Sequence, residues 1–156
     1  MPNAEIKALY GRWLNDLWKA DATRIKESIH EIVTADFVGN WPERQIHGAD
    51  ELAEWISTGG SFFTDLEATI TQGPLVDGDL LAARWLMSGT YAGGLDQCTA
   101  PVGTKIAVHH ADFLRFRDGR FTECWAGSDQ VDGLKQIGAT TFTACQWFEN
   151  GAAIGV

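Results

Sequence analysis

The stretch Val108–Asp129, VHHADFLRFRDGRFTECWAGSD, decides how this chain folds. Strand-forming residues alternate with others up to Phe116. The Asp118-Gly119 pair then turns the chain, and a second alternating run leads to Trp125. That pattern predicts a β-hairpin. The same stretch carries most of the candidate chemistry: His109, His110, Asp112, Cys124 and Asp129. Successive side chains on a strand point to opposite faces. His110 and Asp112 therefore share a face, and the adjacent histidines do not. The register across the turn has two possibilities. A two-residue turn puts His110 and Asp112 on one face with Trp125 and Asp129. A three-residue loop with a bulge at Gly119 puts them instead with Cys124, Ala126 and Ser128. A slip of one residue exchanges the whole set.

Upstream of the hairpin, Leu80 to Tyr91 (LLAARWLMSGTY) alternates as a long strand. Leu81, Ala83, Trp85, Met87 and Tyr91 fall on one face; Arg84, Ser88 and Thr90 fall on the other. Phe63 to Thr71 predicts another strand, with turns at Gly73-Pro74 and Asp77-Gly78. Before the strands come helices. Ile6, Leu9, Tyr10, Trp13 and Leu17 recur at spacings of three and four, which predicts a helix over 3–19. Asp21 has the place of an N-cap for a second helix, with Ile25, Ile29, Ile32 and Val33 as its stripe. His30 lies off that stripe, on the solvated side. Phe37 to Pro42 breaks the periodicity and predicts a loop with Trp41 inside it, at the core edge or in a site. A third helix is expected from about Gly48 to Ser57, with Leu52, Trp55 and Ile56 inward and Gly59-Gly60 as its stop. Val131 to Ile137 predicts a last helical turn, which Asp129 precedes as a cap. Residues 1–138 then form one domain. Residues 139–156 are a tail whose Trp147 and Phe148 would dock on a neighbour.

Helices followed by long antiparallel strands make an α+β fold, with helices packed on one face of a curved antiparallel sheet. Such a cone encloses a small-molecule pocket. Seven Trp and eight Phe supply the large side chains for a core or a pocket wall. A net charge of −9 argues against nucleic-acid binding and against docking on anionic membranes. No apolar run approaches the ~18 residues that span a bilayer. Three widely spaced cysteines, Cys98, Cys124 and Cys145, form no disulfide framework and point to reduced thiols in the cytoplasm. The start, MPNAEIKALYGRW, has no basic segment leading into an apolar run.

Nucleophile elbows, phosphate-binding loops and dinucleotide fingerprints are all absent from the sequence. No metal site is expected, because His109 and His110 cannot chelate together from opposite faces. Cys124 has no activating base near it in sequence and reads as a buried, inert thiol. Carboxylates, histidines and aromatics remain, a set suited to proton transfer or to ligand binding without a cofactor.

Over residues 5 to 138 the chain resembles the SnoaL-like polyketide cyclases of the nuclear transport factor 2-like superfamily. The resemblance rests on ADFVGNWP, on His47-Gly48 before the third helix and on Phe63-Thr64-Asp65-Leu66. It rests also on AARWLMSGTYAG, on APVGTK, and on RDGRFTECWAGSD followed by GLKQIGA. It implies the cone fold and a cofactor-free reaction in which a carboxylate removes an acidic proton and polar neighbours hold the enolate. The cyclase aspartate falls on Ala126, and a histidine two residues earlier falls on Cys124. The polar pair of the preceding strand falls on His110 and Asp112. Pocket positions fall near Trp18, Asn40, Trp55 and Tyr91.

The chain thus departs from the cyclase pattern at its base. A relocated acid/base pair is the expectation, with Asp112 as base and His110 as its partner or as oxyanion donor. The two lie about 7 Å apart on one strand face. Trp55 and Leu114 would wall the carboxylate and raise its pKa, and Trp41 joins the pocket. Two alternatives stand beside it: Asp112 pairs with Arg84 or Arg115 while His110 is a satisfied core histidine, or the protein, with Ala126 in place of the base, binds an apolar ligand without transforming it. A homodimer through the outer face of the sheet is also expected.

Overall fold

The computed structural model describes residues 3–140. Helix α1 (Asn3–Arg12) continues without a break into a π-helical stretch, Trp13–Trp18. Lys19 N–H bonds the carbonyl of Leu14 at 3.1 Å, five residues back. That wider winding brings residues five apart onto neighbouring positions of one face. Trp13 and Trp18 meet edge to face, with centroids 5.9 Å apart. The expected helix is present, and its last turns are wider than an α-helix.

Asp21 caps helix α2 (Ala22–Ile32) as expected, accepting from Arg24 N–H at 2.9 Å. Ile25, Ile29 and Ile32 are buried, and His30 is exposed beside Asp50. Val33, assigned from sequence to the helix stripe, instead opens strand β1 (Val33–Asn40). The expected loop over Phe37 to Pro42 is therefore corrected: Phe37 to Asn40 are strand, and Trp41 follows it. Strand β2 (Gln45–His47), which the sequence did not indicate, pairs antiparallel with β1. Helix α3 (Ala49–Gly60) runs through Gly59-Gly60, which form its final turn instead of stopping it.

Strand β3 (Phe63–Asp77) continues through Gly73-Pro74, where a turn was expected. The register against strand β4 (Leu80–Tyr91) shifts between Gln72 and Leu75, so this pair sits at a bulge. β3 is an edge strand, where proline costs no ladder hydrogen bond. Strand β5 (Lys105–Arg117) and strand β6 (Arg120–Ser128) form the hairpin. The sheet order is β2-β1-β6-β5-β4-β3. β1 runs parallel to β6, so the sheet is mixed rather than wholly antiparallel. The helices pack on its inner face, giving the expected α+β cone.

The hairpin settles its register by a route the sequence left out. Asp118 and Gly119 both have positive φ, 51° and 79°, as a tight two-residue turn needs. Arg117 pairs with Arg120 and Phe116 with Phe121, but Arg115 pairs with Glu123. Thr122 is the extra residue of a β-bulge. Beyond it Leu114 faces Cys124, Asp112 faces Ala126 and His110 faces Ser128. The inner-face set is thus the one expected from a bulge, with the bulge at Thr122 and not at Gly119.

Helix α4 (Gln130–Gln136) follows. Asp129 occupies its N-cap position, but the side chain makes no capping bond, which corrects that expectation. Its backbone N–H bonds His109 O at 3.0 Å. Of the expected tail, Ala139 pairs with Cys98 and Thr140 N–H bonds Gln97 O. Residues 141–156, with Cys145, Trp147 and Phe148, lie outside the described residues.

Candidate active site

A cavity of about 180 Å³ lies between the helices and the inner face of the sheet. Three tryptophans from three different places form one end. Trp18 comes from the π-helical stretch, Trp41 from the turn after β1, and Trp55 from α3. Their centroids are 4.6 Å apart for Trp41 and Trp55, 5.9 Å for Trp18 and Trp41, and 6.1 Å for Trp18 and Trp55. Leu66, Met87 and Val108 supply apolar walls. His110 and Ser128, cross-strand partners, supply a polar one.

His110 lies against Trp85 on the neighbouring strand, with centroids 4.4 Å apart and planes at 20°. Burial pushes its pKa down to about 4, and the nearby His109 adds to the effect. The ring is therefore neutral near pH 7. Its Nε2 is buried and has no hydrogen-bond partner.

Asp112 shares the strand face with His110, as the alternation requires, but it does not line the cavity. It is 2% exposed, and Oδ2 accepts from Tyr10 Oη at 3.0 Å and from Trp13 Nε1 at 3.2 Å. Burial pushes the carboxyl pKa up to about 6. The two donors oppose that shift. So does the Trp85 indole, from outside hydrogen-bond geometry. Burial and the neighbouring Asp112 push the Tyr10 hydroxyl far up in turn, so Tyr10 stays a donor. Neither Arg84 nor Arg115 reaches Asp112 with a hydrogen bond; Arg115 pairs with Asp79 at 2.7 Å. A buried carboxylate held by two neutral donors ties α1 and the π-helical stretch to the middle of the sheet.

The other residues singled out in the sequence divide clearly. Trp18, Trp41, Trp55 and His110 line the cavity. Asn40 does not: its Nδ2 donates to Cys124 O at 3.2 Å, and its Oδ1 accepts from Gln45 Nε2 at 2.8 Å. It therefore joins β1 to β6. Tyr91 is buried in a second apolar cluster with Phe63, Ile106 and Leu134, and its hydroxyl accepts from Leu95 N–H at 3.2 Å. Leu114 and Cys124 face each other in the main core with no exposure. Burial, with Asp112 and Glu123 nearby, pushes the Cys124 thiol well up, which matches an inert thiol. Ala126 sits opposite Asp112 against the core. Ser128 was missed as a cavity residue, although strand parity with His110 could have found it once the bulge was known. Thr58, Gly59 and Gln130 also reach the cavity, and nothing in their local sequence announces it.

Among the described residues, no helix is long and apolar enough to cross a membrane. A family profile described as a SnoaL-like domain matches residues 11–124. Among solved structures, TsrD from Streptomyces laurentii superposes with a TM-score of 0.71 at 22% identity, covering 89% of this chain and 98% of TsrD. IdmH from Streptomyces antibioticus, a candidate polyketide cyclase, gives 0.70 at 25% identity, covering 88% and 99%. A candidate polyketide cyclase from Acidithiobacillus ferrooxidans gives 0.73 at 20% identity, covering 88% and 96%. Among curated protein sequences, none matches this chain significantly. The structural likenesses bear on the fold, a nuclear transport factor 2-like cone around a pocket.

Proposed function

The chain belongs to the SnoaL-like domain family, and from that premise we propose a small-molecule pocket protein that acts without a cofactor. Its chemistry is general acid/base catalysis on a small cyclic or polyketide-like carbonyl compound. The observation that carries this is a neutral imidazole, His110, set in the wall of an otherwise aromatic and aliphatic cavity. A neutral imidazole can donate to a developing enolate oxygen or accept a proton from the adjacent carbon. In this reading His110 touches the substrate. Asp112, with its raised pKa, is the second member of the pair and lies behind the cavity wall.

A test follows α-proton exchange with deuterated solvent by NMR over a panel of cyclic ketones. Exchange catalysed by the protein, lost in His110→Phe and cut about 10²-fold in Asp112→Asn, supports the enzyme. Unchanged exchange in both variants sinks the assignment. A second reading is a protein that binds an apolar ligand without transforming it. The separation of the Asp112 carboxyl from the cavity, together with Ala126 at the family's base position, favours it. Saturable binding with no exchange in the unaltered protein would support that reading. We further propose a cytoplasmic homodimer that pairs through the outer face of the sheet.

A further inference from the structure

The cavity has two unlike ends and a small size, and together they define what fits. A volume of about 180 Å³ is only slightly larger than an apolar protein cavity of about 150 Å³ that holds one benzene. It lies below the range of about 300–1,000 Å³ usual for drug-sized ligands. One ring with a substituent fills the enclosed part; three fused rings would have to project through its open mouth.

Charge narrows the class further. Among the described residues, the cavity lining includes Glu43 but no lysine or arginine. An anion would lose its hydration with no opposite charge to replace it. Trp18 and Trp41 each meet Trp55 edge to face and meet each other at a tilt, all within 6.1 Å. Rings packed this closely turn much of their faces to one another, which leaves little free face for a cation to sit over. At the other end His110 and Ser128 are direct cross-strand partners, and both line the cavity. Side chains in such pairs start about 5 Å apart. A hydroxyl and a neutral imidazole can both bond a single oxygen.

We infer that the cavity receives one uncharged single-ring molecule bearing an oxygen, with its ring against the three tryptophans and its oxygen on the His110–Ser128 pair. The inference rests on the small-molecule reading above and narrows it to a substrate class. Ser128 becomes the residue that selects oxygenated rings over plain hydrocarbons.

The test titrates the full chain while the indole N–H resonances of Trp18, Trp41 and Trp55 are followed. The probes are cyclohexanone, toluene, benzoate, cyclohexylammonium and the three-ring ketone anthrone. Cyclohexanone should shift all three indoles saturably and bind at least about 10-fold tighter than benzoate, cyclohexylammonium or anthrone. Ser128→Ala should weaken cyclohexanone about 3- to 10-fold, as loss of one neutral hydrogen bond does, and leave toluene unchanged. Tighter binding of either ion, or an equal effect of Ser128→Ala on both rings, overturns the inference. Binding of anthrone alone overturns the size argument while the broader pocket reading survives. No binding by any probe removes both.

Discussion

Tyr10 donates its phenolic hydroxyl to Oδ2 of Asp112 at 3.0 Å across 102 residues of chain, and both groups are buried. The bond connects the first helix to the middle of β5 and serves a carboxylate whose two hydrogen-bond donors, Tyr10 and Trp13, are both neutral. An ionised carboxylate needs those donors more than a protonated one does. Tyr10→Phe should therefore destabilise the protein by about 1–3 kcal/mol at pH 7.5, read from urea unfolding. The cost should shrink at pH 4.5, where the carboxyl is protonated. An equal cost at both pH values would mean that Asp112 does not change its charge between them.

Asp112 and His110 impose opposite pH dependences on stability. The folded carboxyl keeps its proton to about pH 6, whereas the unfolded chain releases it near 3.8. In that window the folded state binds more protons, so this group's contribution is present below 3.8 and is lost as pH rises through 6. His110 works the other way. The unfolded chain takes up a proton near 6.5 and the folded ring only near 4, so its contribution is present above 6.5 and is lost as pH falls through 4. Each shift corresponds to roughly 3 kcal/mol. In the unaltered protein the two slopes largely cancel. Relative to it, Asp112→Asn should gain stability progressively from pH 4 to 6, and His110→Phe should gain progressively from pH 6.5 down to 4. Urea unfolding at four pH values separates them. Parallel profiles for the two variants would contradict at least one of the assigned shifts.

Much of this fold is legible in the sequence where one strand faces one core. The run Leu80 to Tyr91 alternates without interruption, and its strand has those limits. Strand β1 was hidden because Gly39 and the nearby Pro42 look like loop signals, and because its partner β6 lies over eighty residues away. The shared face of His110 and Asp112 follows from parity alone. Their different surroundings do not, because they depend on which helix lies over each residue. The π-helical winding after Arg12 sets Trp13 over Asp112 and leaves Trp18 for the cavity. No local pattern encodes that choice; packing of several indoles against one sheet does.

The outer face of the hairpin supports the proposed dimer. Phe113 is 49% exposed and Trp125 38%, and they are cross-strand partners. The Arg115 guanidinium stands 5.8 Å from the Trp125 ring centroid. Half-exposed aromatics side by side on a sheet form the kind of patch that a second copy covers. Phe113→Lys should convert a dimer into a folded monomer, measured by light scattering after size exclusion. A monomeric unaltered protein would end the proposal.

Gly39 controls the cavity without touching a ligand. A β-carbon placed on it would lie 2.0 Å from Cζ3 of Trp41, far inside contact distance. The indole could not keep its place, and Trp41 is packed 4.6 Å from Trp55 in the cavity wall. Gly39→Ala should therefore weaken binding of a ring compound such as cyclohexanone about 3- to 10-fold, the usual worth of one aromatic contact. It should also cost about 1–3 kcal/mol of stability, as overpacking does. Trp41→Ala removes the clash and the wall together, so it should weaken binding at least as much. Adding Gly39→Ala to Trp41→Ala should then change binding little, because the ring it displaces is gone. If Gly39→Ala still weakened binding by the same factor in that background, its effect would run through strand β1 itself and not through the position of Trp41.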